Sequence, residues 1–254
     1  MKLSDEIAQA AADRDILLMT HIVLGYPSFE TNKEVIAQMV ANGVDLIEMQ
    51  IPFSEPMADG PVIIKANQDS LLDGTRLNDC LNFARQMTET HAIPFLFMTY
   101  YNILFKYGIE SFCRRALETG IRGFIVPDLP PEEGADYLKY TRQYGLAPIQ
   151  IFAPTSTPER MRFLAEAGGG FIYCVARRGV TGTQTTFDEE FNNYIAQCRA
   201  STDMPLAVGF GISNRDDVQA LVGKADIAVI GSETIRLVDR QGAAAVGPFI
   251  AGLR

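Results

Sequence analysis

The feature that most constrains this sequence is a repeated alternation of short apolar segments with longer segments of helical period. Eight segments are rich in β-branched and aromatic residues and end at turn residues, as buried strands do. Parallel strands need a crossover helix and are covered on both faces, so this alternation predicts a (β/α)8 TIM barrel. The predicted strands are Leu17–Leu24, Leu46–Gln50, Phe95–Tyr100, Gly123–Val126, Pro148–Phe152, Phe171–Val175, Pro205–Val208 and Ile227–Ile230.

The helical segments complete the pattern, and an amphipathic segment within residues 1–15 predicts an extra N-terminal helix. No GxGxxG motif follows the first strand, which disfavours a doubly wound open sheet. No Ser/Gly linker or shift in composition divides the chain, so we expect residues 1–254 to form a single TIM-barrel domain. The other predicted helices are Glu30–Ala41, Val62–Leu72, Leu77–Thr90, Ile109–Glu118, Glu132–Tyr144, Pro158–Ala167, Asp188–Ala200, Asn214–Val222 and a last one from Thr234.

Charge and cysteine content exclude several classes of function. The 22 basic and 31 acidic residues give a formal net charge of -9, which repels nucleic-acid backbones and anionic membranes. Four scattered cysteines without a CxxC pair, with only two histidines, disfavour a metal site. The N-terminus lacks the order of a signal peptide, and no apolar run approaches the roughly 18 residues that span a bilayer. We therefore expect a cytoplasmic protein that binds neither nucleic acid nor membranes.

Glu48 is the first candidate catalytic residue, because it interrupts the apolar second strand. The active site of such a barrel lies at the carboxyl ends of the strands. By alternation Glu48 shares a face with Leu46, which points into the barrel if strand residues of that parity do. A carboxylate in a dry barrel mouth is suited to exchange protons near neutral pH. The alternative is a structural glutamate paired with a nearby lysine or arginine.

A second carboxylate, Asp59, ends a stiff loop after the same strand. Residues 51–61 contain three prolines and a glycine, and a helix is expected to start at Pro61. One interpretation is that Asp59 only caps that helix. The other is that the loop returns Asp59 to the barrel mouth beside Glu48, which gives two acidic groups in different environments, as acid–base catalysis uses.

Glycine-rich turns follow the last three predicted strands, at residues 179–182, 209–213 and 231–232. Loops after strands seven and eight, with a helix N-terminus, commonly bind phosphate in these barrels, because glycine lets backbone N–H groups approach the oxygens. Ordinary turn glycines explain any one of these segments. Three together favour a phosphate ligand.

Isolated polar residues at other strand ends carry weaker predictions. Asp128 is a candidate cap for the helix after strand four, and Tyr173 is a candidate wall residue with a polar hydroxyl. Tyr100 and Asn102 also stand at or just after a strand end. His21 lies in the apolar first strand, where a hydrogen-bonded core histidine is favoured over a general base.

Four long motifs occur in the order found in one enzyme family. They are EMQIPFSEPMADGP at residues 48–61, FIVPDLPPEE at 124–133, RRGVTG at 177–182 and GFGIS at 209–213. On these motifs the sequence closely resembles the tryptophan synthase α subunits along most of its length. Such motifs are far more specific than barrel architecture, which hosts many unrelated reactions. The resemblance implies retro-aldol cleavage of indole-3-glycerol phosphate to indole and glyceraldehyde 3-phosphate, without a cofactor in this subunit.

The resemblance also implies roles for individual side chains. Glu48 would move protons between the indole ring and the C3′ hydroxyl, and Asp59 would accept a hydrogen bond from the indole N–H. Tyr173 would interact with both carboxylates. Thr181 would lie on the loop after strand six, whose closure would exclude water. The other substrate-binding residues would be Tyr100, Asn102, Met98, Ile151 and Phe210, and the phosphate-binding residues would be Gly182, Gly211, Gly231 and Ser232.

The family's partner is a pyridoxal-phosphate β subunit that receives indole through a tunnel, so the resemblance implies an αββα assembly. The isolated chain is expected to be a monomer, because its helices show no long apolar patch. The residues expected to face the partner are Pro52, Phe53, Ser54, Glu55 and Pro56.

The sequence departs from the family pattern at four places. Tyr26 and Glu55 replace the usual aspartates near the expected partner face, which bears on partner affinity more than on cleavage. His21 stands where a bulky apolar or aromatic residue is usual. Residues 242–248 predict a short, broken C-terminus instead of a long last helix, which bears on how the barrel closes.

Two other kinds of function stay open on the sequence. The first is another enzyme on this fold, either a phosphate-binding isomerase or an autonomous indole-releasing lyase that needs no partner. The motifs around Glu48 and Asp59 argue against an unrelated isomerase, whereas autonomy depends on loop closure and is tested by basal turnover. The second is a non-catalytic regulatory subunit, against which the intact Glu48 and Asp59 argue.

Overall fold

The computed structural model describes residues 2–175, 189–209 and 211–254. Its eight parallel strands hydrogen-bond in chain order into a closed barrel, which confirms the predicted (β/α)8 fold. The observed strands differ from the predicted ones only at their ends. They are β1 (Leu17–Val23), β2 (Leu46–Gln50), β3 (Phe95–Met98), β4 (Gly123–Ile125), β5 (Ala147–Phe152), β6 (Ile172–Val175), β7 (Leu206–Gly209) and β8 (Ile227–Ile230).

Helices occupy the connections between the strands, and within the described ranges none is long and apolar enough to cross a bilayer. They are α1 (Leu3–Ala11), α2 (Phe29–Ala41), α3 (Pro61–Leu72), α4 (Leu77–Thr90), α5 (Tyr101–Tyr107), α6 (Ile109–Glu118), α7 (Ala135–Gln143), α8 (Pro158–Ala167), α9 (Glu189–Ser201), α10 (Arg215–Gln219), α11 (Ser232–Gln241) and α12 (Val246–Leu253). The sequence pattern does not predict α5, because its seven residues are too few to show a helical period. It also places the start of α7 at Glu132, whereas turns fill residues 131–133 and the helix follows Gly134.

Strand register determines which side chains enter the barrel. In the pairing of β1 with β2, Met19 lies opposite Leu46 and His21 lies opposite Glu48. Met19 and Leu46 belong to an apolar cluster that draws residues from all around the barrel and fills its interior. His21 and Glu48 have the same parity and therefore also point inward, whereas Ile47 packs outward against the helices. Glu48 shares a face with Leu46, as the alternation predicts, and the structure shows that this face points inward.

The extra N-terminal helix α1 closes the amino-terminal end of the barrel. Its Leu3 and Ile7 are buried and join the interior apolar cluster. Gly170 allows this close approach, since a Cβ at this position would lie 2.8 Å from the Leu3 side chain. Because apolar side chains seal this end, the polar mouth lies at the carboxyl ends of the strands.

The broken C-terminus predicted from residues 242–248 is present, and the barrel nevertheless closes. After α11, Gly242 adopts a φ of 81° and a short 3-10 turn leads into α12. Ile250 and Leu253 of α12 are buried in the outer core, and the helix packs against α2. The Arg254 side chain donates a hydrogen bond to the Ile16 carbonyl at 2.9 Å. A second short helix therefore supplies the apolar cover that a long last helix would give, and β8 pairs with β1.

Candidate active site

Two buried carboxylates lie at the carboxyl end of β2. Glu48 is 3% exposed and Asp59, at the end of the following loop, is 4% exposed. Helix α3 begins at Pro61 with Gly60 as its N-cap, and no side chain caps it. The interpretation of Asp59 as a helix cap is therefore wrong. The loop returns Asp59 to the barrel mouth, where its charge interacts with Glu48 and His21.

Asp59 is held through one of its two carboxylate oxygens. Gln50 Nε2 donates to Asp59 Oδ2 at 2.7 Å, and the Tyr100 hydroxyl donates to the same oxygen at 3.0 Å. The Tyr100 hydroxyl also accepts the Ala58 backbone N–H at 3.1 Å, which ties the loop to the end of β3. Burial raises the pKa of Asp59 above its usual value, and the bonds from Gln50 and Tyr100 with the charge of His21 only partly oppose this.

Glu48 is held by His21 of the neighbouring strand. His21 Nδ1 lies 2.8 Å from Glu48 Oε1, and both side chains are buried. Among the residues that the structure describes, Glu48 Oε2 and His21 Nε2 are buried without a hydrogen-bond partner. The described partner of Glu48 is therefore a histidine and not the lysine or arginine of the alternative interpretation. His21 in turn is only half satisfied, so it differs from the fully hydrogen-bonded core histidine expected from the sequence.

Tyr173 points inward from β6 toward the carboxylates. Burial raises the pKa of its hydroxyl well above the usual value, and the charges of Glu48 and Asp59 raise it further. The hydroxyl is therefore neutral at physiological pH and able to donate a hydrogen bond. Gly209 of β7 leaves room for it, because a Cβ at that position would lie 2.9 Å from the Tyr173 hydroxyl.

The other predicted substrate residues divide into three groups. Met98 is buried in the interior cluster, and Ile151 packs against that cluster while partly exposed, so both line the barrel interior. Asn102 is exposed on α5, and no described hydrogen bond joins it to the carboxylates, so the structure does not bring it into the site. The residues Thr181, Gly182 and Phe210 lie outside the described residues.

Two of the predicted phosphate-binding residues, Gly231 and Ser232, lie at the N-terminus of α11. This ten-residue helix begins at Ser232, two residues before the predicted start, and Gly231 is its N-cap. Ser232 is buried, and Gly211, after β7, adopts a φ of 66°. The N–H groups of a first helical turn lack helical acceptors and carry partial positive charge, so they suit an anion.

The loop expected to face a partner is only partly available for contact. Pro52 and Pro56 are buried within the chain, so their side chains offer little surface to a partner. Phe53 stacks on Tyr100 with ring centroids 5.0 Å apart and is half-buried. Ser54 and Glu55 are exposed, so they offer the most surface of the five to a partner.

Asp128 and Tyr26 make hydrogen bonds that the sequence analysis did not predict. Asp128 does not cap the helix that follows its own strand, because both its carboxylate oxygens accept the Tyr101 N–H, at 2.9 and 3.1 Å, and so cap α5. Tyr26 is half-buried, and its hydroxyl donates to Asp239 Oδ1 at 2.9 Å, which ties the loop after β1 to α11.

The sequence analysis did not select His21 or Gln50 as functional residues, yet they hold Glu48 and Asp59 respectively. A signal existed for both. Gln50 follows Glu48 by two residues and so shares its inward face, and His21 is polar in an otherwise apolar inward row. Within the described ranges, no group of three or more histidine, cysteine or acidic residues is placed to hold a metal ion.

Comparison with known sequences agrees with this site. A family model described as tryptophan synthase alpha chain matches residues 7–246. A tryptophan synthase alpha chain from Desulfotalea psychrophila is 68% identical over 254 residues, which is all of both chains. Another from Syntrophotalea carbinolica is 56% identical and covers 99% of this chain and 100% of its own.

Solved structures agree with the fold at lower identity. A chain of Mycobacterium tuberculosis tryptophan synthase superposes with a TM-score of 0.92 at 29% identity, covering 99% of this chain and 96% of that one. A tryptophan synthase subunit alpha from Legionella pneumophila gives a TM-score of 0.89 at 30% identity, with 100% and 97% coverage. The chain therefore belongs to the tryptophan synthase alpha chain family, the lyases that cleave indole-3-glycerol phosphate.

Proposed function

We propose that Glu48 is the acid–base group of indole-3-glycerol phosphate cleavage and that Asp59 binds the indole N–H. The observation that carries this proposal is the unequal use of the carboxylate oxygens. Glu48 Oε1 and Asp59 Oδ2 are held by protein donors, whereas Glu48 Oε2 and Asp59 Oδ1 accept no hydrogen bond from the described residues. An unpaired buried acceptor is costly to folding, so the free oxygen of Glu48 supports a ligand that supplies the missing partner.

The reaction needs two proton transfers at neighbouring atoms. Protonation of indole C3 makes the ring a leaving group, and the C3′ hydroxyl must lose its proton as the carbon–carbon bond breaks. Glu48 Oε2 gives the first proton and takes the second, so the side chain ends each turnover in the state in which it began. One carboxyl group with one free oxygen is sufficient for both transfers.

Asp59 contributes by electrostatics and not by proton transfer. As C3 is protonated, positive charge spreads to the ring nitrogen, and a carboxylate that accepts the N–H stabilises that charge. This role needs the ionised form of Asp59, which burial disfavours and the donors Gln50 and Tyr100 favour. The two donors on Oδ2 also aim Oδ1 at the ligand.

The remaining roles extend the same proposal along the substrate. The neutral Tyr173 hydroxyl supports the carboxylates, while Met98, Ile151 and Phe210 form the apolar wall for the ring. Thr181 steadies Asp59, and the phosphate lies on main-chain N–H groups at Gly182, Gly211, Gly231 and Ser232. The first turn of α11 and the positive φ of Gly211 support the phosphate end. The exposure of Asn102 gives its proposed substrate contact no structural support.

The partner follows from the family. A tryptophan synthase alpha chain has a β subunit as its partner, and we place Ser54 and Glu55 of this chain on the contact surface because they are exposed beside the site. The finer proposals are an αββα assembly, pyridoxal phosphate in the β subunit, no cofactor in this chain, and a cytoplasmic location. Residues 1–254 are proposed to form one domain, since one barrel accounts for all described elements.

The test of the proposed chemistry is Glu48→Gln. We expect indole release to fall by about a hundredfold to ten-thousandfold, because the amide keeps the shape of the side chain but cannot give and retake the proton. Binding of substrate and of the β subunit should persist. The matched control is Glu89→Gln at an exposed glutamate of α4, which should leave indole release unchanged. Undiminished release by Glu48→Gln would remove Glu48 from the mechanism.

The partner proposal is tested by measuring indole release from the unaltered chain alone and with a tryptophan synthase β subunit. Slow release that rises sharply with the partner supports the coupled enzyme. Fast release without it identifies an autonomous lyase. A chain that activates the β subunit but releases no indole is the regulatory subunit of the alternative interpretation.

A further inference from the structure

His21 and Glu48 form a buried pair that the strand register creates. They lie opposite each other in β1 and β2, both point into the barrel, and each is 3% exposed. His21 Nδ1 is 2.8 Å from Glu48 Oε1. When Glu48 Oε1 carries no proton, this oxygen only accepts a hydrogen bond, and His21 Nδ1 is then the donor. In that state the contact sets both the tautomer of His21 and the rotation of the Glu48 carboxyl group.

The other atom of each group is buried and free. Glu48 Oε2 and His21 Nε2 have no hydrogen-bond partner in the described part of the chain. The pair thus has one internal bond and two polar atoms with unused hydrogen-bonding capacity. A buried polar atom without a hydrogen-bond partner is rare in folded proteins and indicates a bound ligand or a functional role.

The electrostatic setting keeps a proton on this pair. Burial lowers the pKa of His21, but the hydrogen bond and charge of Glu48, then the charge of Asp59 and the nearby Gln50 amide, raise it above its usual value. The Tyr173 and Tyr100 hydroxyls also face the carboxylates, and burial together with the carboxylate charges raises the pKa of both, so both stay neutral. These interactions favour a bound proton at the contact between His21 and Glu48.

We propose that His21 is a positioning residue for Glu48, whose donated Nδ1–H holds Oε1 so that Oε2 is the oxygen that exchanges protons with the substrate. This inference rests on the proposed role of Glu48. The proton on Oε2 moves to indole C3, and the proton of the C3′ hydroxyl then moves to Oε2, while His21 keeps the Nδ1 proton throughout. Between the two transfers Glu48 is an anion, and the Nδ1–H bond to it is then strongest.

The first test needs no change at His21. The chain has two histidines, so the ring nitrogens of His21 and His91 can be resolved by 15N NMR in the labelled protein. We expect His21 as the Nδ1–H tautomer, titrating above His91, whose pKa is lowered by burial. In Glu48→Gln the His21 titration should move down by about one pH unit or more, with His91 unmoved as the internal control. Identical His21 titrations in the two proteins, or the Nε2–H tautomer, would overturn the pairing.

The second test uses two variants that separate volume from hydrogen bonding. His21→Phe keeps the ring volume without a donor, and His21→Asn places an amide donor near the position of Nδ1 without a titrating group. With KM changed by no more than about twofold, we expect kcat at each variant's optimum to fall about tenfold in His21→Phe and to be largely restored in His21→Asn. Equal kcat in the three proteins would contradict a positioning role.

The pH profile of kcat separates positioning from a purely structural effect. At high pH the pair of His21 and Glu48 has lost the proton that it exchanges with the substrate. Glu48 Oε2 then has no proton to donate, so kcat falls. Either substitution removes one of the two titrating groups of the pair, so the basic limb of both variants should differ from that of the unaltered chain. The limb of His21→Asn should lie at lower pH than that of His21→Phe, because the amide donor stabilises the ionised carboxylate. A basic limb at the same pH in all three proteins would refute the inference.

The two proposals fail separately. If Glu48→Gln releases indole normally, the role of Glu48 falls and the inference about His21 falls with it. If Glu48→Gln is inactive while both His21 variants keep the kcat and pH profile of the unaltered chain, only the inference about His21 is wrong.

Discussion

The Tyr100 hydroxyl is a single group whose removal tests how Asp59 is anchored. Tyr100→Phe deletes the donor that lies 3.0 Å from Asp59 Oδ2 and the acceptor of the Ala58 N–H, and it changes nothing else in shape. The ring stays in place, because Tyr100 is fully buried and stacks on Phe53. The effect of the substitution is therefore the effect of the two hydrogen bonds.

The expected magnitude follows from the partners. A hydrogen bond to a charged group contributes about 1.5–3 kcal/mol to the free energy of unfolding. The Ala58 N–H adds little, because Ala58 is exposed and water can replace the lost acceptor. At about 2–4 °C per kcal/mol for a chain of this size, Tm should fall by roughly 3–12 °C. Asp59 retains Gln50 as a donor, so its orientation is loosened and not lost, and kcat for indole release should fall about tenfold to a hundredfold.

Urea unfolding and indole release measured on the same preparations check both effects. The matched control is Tyr144→Phe, which removes a tyrosine hydroxyl that donates to Glu110 at 3.2 Å on the surface, far from the mouth. This control should keep kcat and change the urea midpoint little, because solvent screens an exposed pair. If Tyr100→Phe matches the unaltered chain in both kcat and stability, or if the control loses as much, the described anchoring of Asp59 is incorrect.

Two further predictions concern Asp59 and Asp128. Burial raises the pKa of Asp59, so folding favours the protonated form of this side chain. The stability that protonated Asp59 contributes is complete below its unfolded pKa of about 3.9, and it is lost as the pH rises through the pKa of Asp59 in the folded protein. The stability of Asp59→Asn to urea, relative to that of the unaltered chain, should therefore increase from pH 4 to pH 7, while indole release falls at least about a hundredfold. An equal stability difference at the two pH values would contradict a raised pKa of Asp59. Asp128→Ala removes both acceptors of the Tyr101 N–H and should cost about 0.5–2 kcal/mol of unfolding free energy. Asp128→Asn, which keeps one acceptor, should recover most of it, and equal losses in the two variants would show that capping of α5 is not the cause.

Periodicity in the sequence was sufficient to predict the barrel and to place Glu48 on the same face of its strand as Leu46. Alternation along a strand is a local property, whereas the structure shows that this face points inward, since Leu46 belongs to the interior cluster. The strand segments were also found with small errors at their ends. The short helix α5 was not predicted, because its seven residues hold fewer than two full helical turns, too few to show a helical period.

The order of the motifs predicted the family and the candidate carboxylates, but it left their local roles open. Asp59 stands next to a helix start, so a cap and a site residue have the same local pattern. Hydrogen bonds donated by Gln50 and Tyr100 to the carboxylate decide between the two roles, and Tyr100 lies just after a different strand, β3. Asp128 also has the local pattern of a cap, but the helix it caps precedes its own strand in the chain.

Composition and periodicity thus determined which residues face the interior, because burial of apolar side chains imposes a period on each segment by itself. Only the tertiary structure decided which inward residues meet. His21 and Glu48 are 27 residues apart, and their contact depends on the register of β1 against β2. Register is set by the closure of the whole barrel and by packing of the helices around it, so no single segment encodes it. The assembly of this site is accordingly a property of the closed barrel, while its chemical groups are a property of the sequence.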